Sequence, residues 1–333
     1  MRLRELGITI GDLDPGALNA ITDVPGVRVG HTTIVEGDDV RTGVTVVVPP
    51  SLPAFAAPFR LNGNGEITGL QWMEESGFLT TPIALTNTHA IGAVHEALVA
   101  AAVAGDRSTW SLPVVGETWD GVLNDVNGFH VRPEHARAAL ESAADGAVAE
   151  GNVGGGTGMI CHGFKGGIGT ASRIVDGRTV GVLVQTNHGA RRRLTVAGVP
   201  VGRIIGPERV PLPPRRGTPE GAGSIVAVVA TDAPLLPHHC RALALRSMLG
   251  VGRTGGAGEH SSGDFGLALS TQPADRLEPV PPERLDPLFY AVIEATEEAI
   301  VNSLLAAETM TGRGGATVHA LEAGLLKEAM GLS

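Results

Sequence analysis

Aromatic side chains are nearly missing from this chain: one Tyr, three Trp and seven Phe make up only 3% of its 333 residues. Such a core must be filled by Ala, Val, Leu and Ile, and the 47 Gly supply tight backbone turns around it. Cysteine is scarcer still. Cys161 and Cys240 are the only two, which excludes a disulfide-dense secreted scaffold and leaves two buried thiols as the expectation. Positive charge is also short, 25 Lys and Arg against 35 Asp and Glu, for a net charge of −10. That balance argues against a nucleic-acid partner, because phosphates reward basic patches through counterion release. The single basic run, Arg191-Arg192-Arg193, reads as a solvated loop. No segment is apolar for long enough to span a bilayer, and the start, MRLRELGITIGDLDPG, lacks the apolar stretch of a signal peptide. A cytoplasmic protein with no membrane partner is the expectation.

What is present belongs to a folded chain, with 43% hydrophobic and 18% charged residues and enough length for one large core. The stretches VRVGHTTI, TGVTVVVP and TVGVLVQ (179–185) are β-branched and bounded by turn residues, so they read as strands. A short apolar run, 82–85, ends at Asn87-Thr88-His89. Helical composition and spacing mark 90–104, 133–148, 237–249 and 285–306. A further strand is expected over 266–271. Strands and helices mix throughout, which means α/β or α+β, and no internal repeat is visible.

Residues 207–223, PERVPLPPRRGTPEGAG, change character and read as an exposed linker, because Pro and Gly at this density continue neither sheet nor helix. A strong strand pattern, SIVAVVAT, begins directly after it at Ser224. A Ser at such a junction has a chemical use. If the Gly223–Ser224 bond is cut, Ser224 gains a free α-amine, of reference pKa ~7.7–8.0, beside its own hydroxyl. That amine can act as the base that activates the nucleophile. On the residues alone, Gly-Ser reads more readily as an ordinary meeting of linker and strand.

Three other clusters invite the same double reading. In HSSGD, Ser262 and Asp264 stand at i and i+2, so on an extended segment they point to one side and can orient an amine. In PVVGETWDGVLND, Glu117 and Trp119 offer a carboxylate and an aromatic face for a substrate ammonium, with Asp120 beside them. Each cluster is also what an ordinary polar turn looks like. Residues 250–255 match G-x-G-x-x-G, but a helical pattern precedes them where a dinucleotide site needs a strand, so they read as the loop ending a helix. The eleven His show no metal-ligand spacing.

Taken in order, the stretches GALNAITDVPGVRVGHTT, GNGEITGLQWMEESG, PVVGETWDGVLND, GNVGGGTGMICHGFKGGIGTASR, VGVLVQTNHGARRRLTVAGVPVG and GSIVAVVATDAPLLP resemble the DmpA family. These are the L-aminopeptidase/D-amino-acid esterase-amidases, which include the β-peptidyl aminopeptidases. The resemblance covers nearly the whole chain. It implies a four-layer α/β/β/α sandwich, and one catalytic domain that cuts itself into an α chain, 1–223, and a β chain, 224–333. It also implies a homotetramer needing no cofactor or metal, with small peptides, amino-acid amides or esters as substrates. By the same resemblance Ser224 is the nucleophile, Asn187 the oxyanion donor, Ser262 and Asp264 the pair that positions the amine, and Glu117 the carboxylate for the substrate's amino group. The family commonly has Tyr where this chain has Trp119; an indole N–H donates a hydrogen bond but neither accepts one nor ionises. Two alternatives stay open: acyl transfer to an amine from the same acyl-enzyme, and an uncut binding protein that keeps the fold.

Overall fold

The structure, a computed structural model, describes residues 1–104, 107–214, 219, 221–274 and 278–332. Its first half contains β1 (Arg28–Glu36), β2 (Val40–Val48), β3 (Ala54–Gly63), α1 (Leu70–Ser76), β4 (Phe78–Leu79), β5 (Ile83–Asn87), α2 (Ile91–Val103), β6 (Val114–Thr118) and α3 (Pro133–Glu141). A small hairpin, β7 (Ile160–Cys161) and β8 (Phe164–Lys165), leads to β9 (Ile168–Val175), β10 (Arg178–Asn187) and α4 (Val201–Ile204). After the linker come β11 (Gly223–Thr231), α5 (Pro237–Arg253), β12 (Ser262–Ser270) and α6 (Asp286–Leu305). A second hairpin, β13 (Met310–Gly312) and β14 (Ala316–Val318), and α7 (Ala323–Ala329) end the chain.

Two large sheets result, one in the order β1-β2-β5-β6 and one in the order β4-β3-β12-β11-β10-β9. Each contains a parallel pair, β5 with β6 and β11 with β12. A parallel pair needs a crossover, and α2 and α5 supply the two. Strand β11 explains how the sheets stack. Ile225, Ala227 and Val229 pack with α5 and α6 residues such as Leu243 and Val292. The alternate residues Val226, Val228 and Ala230 pack against Val47, Ile83 and Leu85 of the other sheet. On the far side of that sheet, Val44, Val46 and Ala84 meet Val94 and Leu98 of α2 and Ala136 of α3. Three cores therefore separate four layers, α/β/β/α. A strand buried on both faces reads as a continuous apolar run, which is why SIVAVVAT stands out.

Several boundaries differ from those the sequence suggested. The helix expected over 133–148 ends at Glu141, because Ala144 leaves it to exchange two backbone hydrogen bonds, 2.9 and 3.1 Å, with Val29 of edge strand β1. Helix α5 does not stop at Leu249 but runs on to Arg253, so the first four of the six residues of the G-x-G-x-x-G match are helical. Gly250 serves packing there: a Cβ on it would lie 2.6 Å from the Thr296 side chain of α6. The run Arg191–Arg193 is not uniformly solvated. Arg191 is 2% exposed, with its guanidinium over the Phe164 ring and donating to the carbonyls of His162, Gly163 and Val210. Cys161 and Cys240 are free, buried thiols, as the composition suggested. Of the linker, 207–214, 219 and 221–222 form neither helix nor strand; 215–218 and 220 lie outside the described residues.

Candidate active site

The polar groups gather where strand ends meet at one rim of the sandwich. Ser224 is the second residue of β11, and strand alternation puts it on the same face as Val226 and Val228, towards the other sheet. Its Oγ accepts a hydrogen bond from the Gly263 N–H at 3.1 Å. Strand pairing fixes both neighbours: Ser224 lies opposite Asn187 of β10 and opposite Gly263 of β12.

Asn187 is held rigidly. Its Oδ1 accepts from the Ile160 N–H at 2.8 Å and its Nδ2 donates to the Trp119 carbonyl at 2.9 Å. One Nδ2 hydrogen remains, and the position that a Cβ on Gly223 would take is 3.3 Å from that nitrogen. The same Cβ would sit 1.7 Å from the Asn187 carbonyl oxygen, and Gly223 has φ +146°. Only glycine fits before Ser224.

Ser262 and Asp264 begin β12, a strand that starts four residues earlier than its apolar pattern suggested. Ser262 Oγ donates to Asp264 Oδ1 at 2.6 Å. These two straddle Gly263, so they approach Ser224 from the α5 side of the sheet, opposite to its hydroxyl. Burial pushes the Asp264 carboxyl up to about 6, against the Ser262 hydroxyl, which stabilises the charged form.

Glu117 is the penultimate residue of the edge strand β6. One carboxylate oxygen accepts from the Glu66 N–H at 3.0 Å and the other from the Thr88 hydroxyl. Burial raises its pKa, and both hydrogen bonds oppose the rise. Glu117, Trp119, Gly223 and Ser224 line one cavity of about 510 Å³, with Asn64, Gly65, Glu66, Thr88 and Ser261. Trp119 also borders a second cavity that reaches Asn187 and Arg191. Asp120 does not join this lining. It turns into the interior, where Asn124 donates to it at 3.1 Å and burial pushes it up to about 6.

The structure thus brings Ser224, Asn187, Ser262, Asp264, Glu117 and Trp119 to one rim. It adds Thr88 and the 64–66 segment, which the sequence reading left without a role. A signal for Thr88 was there: a polar TNTH at the end of a buried strand. Lys165 was hidden in a glycine-rich stretch. It is fully buried, burial pushes it down to about 7, and its ammonium donates at 2.8 Å to the Met159 and Gly166 carbonyls. It thereby braces the turn just before Ile160.

Solved structures share this architecture over 99% of the chain. One is a Burkholderia sp. β-aminopeptidase, 49% identical with a TM-score of 0.90 and 98% of its own chain covered. Another is the L-aminopeptidase D-Ala-esterase/amidase of Ochrobactrum anthropi, 43% identical with a TM-score of 0.91 and 98% of its chain covered. That structure is described as a prototype for the serine aminopeptidases and a new variant of the Ntn-hydrolase fold. Fold and relatives define a hydrolase of the aminopeptidase class, built on this variant of the Ntn-hydrolase fold.

The sequence pattern of peptidase family S58 matches residues 19–318, and the chain belongs to that family. It is also 47% identical to the β-peptidyl aminopeptidase BapA of Sphingosinicella microcystinivorans, over 96% of this chain and 89% of that protein.

Proposed function

We propose that the chain is made as an inactive precursor that cuts itself between Gly223 and Ser224. Ser224 Oγ attacks the Gly223 carbonyl carbon, the C–N bond breaks, and the hydroxyl proton ends on the freed nitrogen. Water then hydrolyses the ester, leaving a Gly223 carboxylate on chain 1–223 and a free Ser224 hydroxyl on chain 224–333. The new α-amine is the base for every later turnover. Before the cut that nitrogen is an amide and takes no proton.

In the mature enzyme Ser224 attacks the substrate carbonyl, and Asn187 Nδ2 donates to the oxyanion. Ser262 and Asp264 orient the amine, and Glu117 receives the ammonium of the substrate's N-terminal residue. Nucleophile and base are one residue, so the chemistry calls on no cofactor. Relatives named for β-peptides support including β-amino acids, beside L-α and D residues, among those released from short peptides, amides and esters. The homotetramer of αβ units rests on the family resemblance, and the cytoplasmic location stands as an expectation from the sequence alone. The observation that carries the reading is the register of β10, β11 and β12, which sets Asn187 and Gly263 on either side of Ser224.

The test is hydrolysis of β-alanyl and L-alanyl anilides beside their N-acetylated forms. Cleavage of the free-amine substrates alone, abolished by Ser224→Ala, is expected; equal cleavage of the acetylated forms would overturn the roles given to Glu117 and the cavity. An added amine acceptor separates hydrolysis from acyl transfer through the products formed.

A further inference from the structure

Away from the cavity, the fold joins three donor residues that no sequence spacing groups together. Cys161 ends β7, His162 opens the turn of the β7–β8 hairpin, and His188 follows Asn187 at the end of β10. The His162 N–H donates to the His188 carbonyl at 2.7 Å and ties hairpin to strand end. All three side chains are buried, none more than 2% exposed. One donor atom from each lies within 4.8 Å of the other two, and Cys161 Sγ is 3.9 Å from His188 Nδ1.

The polar satisfaction of the two rings is incomplete. His162 Nδ1 lies 3.1 Å from the Ala190 carbonyl, which can only accept, so this nitrogen carries the hydrogen and Nε2 the lone pair. That Nε2 is buried and has no partner among the described residues, and the same holds for Nε2 of His188. Leaving a buried polar atom unpaired costs its full desolvation penalty, so native proteins rarely leave two side by side.

We propose that Cys161, His162 and His188 bind one thiophilic transition-metal ion, Zn²⁺ or Cu⁺. A thiolate with two imidazoles is a soft donor set that suits these ions, whereas Mg²⁺ and Ca²⁺ require oxygen ligands. Metal–sulfur bonds of about 2.3 Å and metal–nitrogen bonds of about 2.0–2.1 Å put ligand atoms closer than 4 Å to one another, so a small contraction of the group closes the site. The Ala190 carbonyl acts as the outer partner that orients the His162 ring. Among the described residues no further His, Cys, Asp or Glu joins the group. Binding releases the Cys161 thiol proton to solvent and transfers no electron. The ion clamps the hairpin carrying Ile160 to the strand end carrying Asn187, and Ile160 holds the Asn187 side chain. The site is therefore structural, and it stands independently of the self-cleavage reading.

The experiment is metal analysis of protein purified from cells supplied with Zn²⁺ or, separately, with copper. About one ion per chain is expected from one of the two supplements, with a Tm above that of chelator-stripped protein. Metal content falls about tenfold or more in Cys161→Ser and in His188→Phe, and is unchanged in Cys240→Ser. Should the first two variants fold poorly, Co²⁺-loaded wild-type protein gives a second reading. A thiolate-to-cobalt charge-transfer band retained in Cys240→Ser supports the site, and its absence counts against it. Metal-free protein from both supplements, or metal equally present in the Cys161 and His188 variants, overturns the proposal.

Discussion

The layer between the two sheets has ends of opposite character, and three alternate rungs of the β10–β11 ladder, all on one face, cross from one to the other. Leu183 pairs with Val228, then Gln185 with Val226, then Asn187 with Ser224. The first rung belongs to an apolar layer with Ile83, Leu85 and Leu267. At the second, Gln185 spans the sheets, donating to the Thr86 carbonyl and the Thr118 hydroxyl, each at 2.9 Å. The third rung is the candidate catalytic pair. The difference teaches that the apolar end fixes register and the polar end uses it. A slip of one residue would turn Ser224 to the face covered by α5 and α6.

Substitutions at the two ends should therefore separate stability from turnover. The largest effect is expected at the apolar end. Leu267→Ala should lower unfolding stability by about 2–5 kcal/mol, read by urea denaturation, while turnover per folded molecule stays at the wild-type rate. Asn187→Ala should lower kcat about 10²–10³-fold, or roughly 2.7–4 kcal/mol of transition-state stabilisation. A variant that melts earlier but keeps its kcat would break the contrast between the ends. Glu117→Gln removes a charged acceptor worth about 1.5–3 kcal/mol, so kcat/KM for free-amine peptides should fall about 10–100-fold. Its Tm should hold or rise, because burial already disfavours the charged carboxylate at this position.

The smallest effect concerns pH. The Asp264 carboxyl is raised to about 6, so it is protonated below that pH and charged above it. Processing that depends on the carboxylate accepting from Ser262 should therefore slow as pH falls through about 6, and the inflection should vanish in Asp264→Asn. Time courses of band conversion on denaturing gels across pH would show it.

The fold was legible wherever strands are buried on both faces and helices are long. The stretch from Ser224 read as a strand, and the helix expected over 285–306 is α6, Asp286–Leu305. Legibility failed where polar residues or glycines do work that tertiary contacts define. Strand β9 hid in a glycine-rich run because Gly169 lies against the Ala299 carbonyl of α6, where a Cβ would approach to 2.0 Å. Ser262 and Asp264 masked the start of β12. Arg191 read as solvated because its partners, the carbonyls of His162, Gly163 and Val210 and the Phe164 ring, are remote or irregular in sequence. The site residues came from family resemblance, since GAGS, HSSGD and GETWD are each ordinary turns by themselves. Only pairing register brings them together, and no local pattern encodes the pairing of β11 with both β10 and β12.

The most direct test of the central claim is the intact mass of the purified protein beside that of Ser224→Ala. Self-processing at the polar rim requires two fragments meeting between Gly223 and Ser224 in the wild-type sample, and one uncut chain in the variant. A single full-length mass in both samples would contradict it, because Ser224 would then have neither a free amine nor a role as an N-terminal nucleophile.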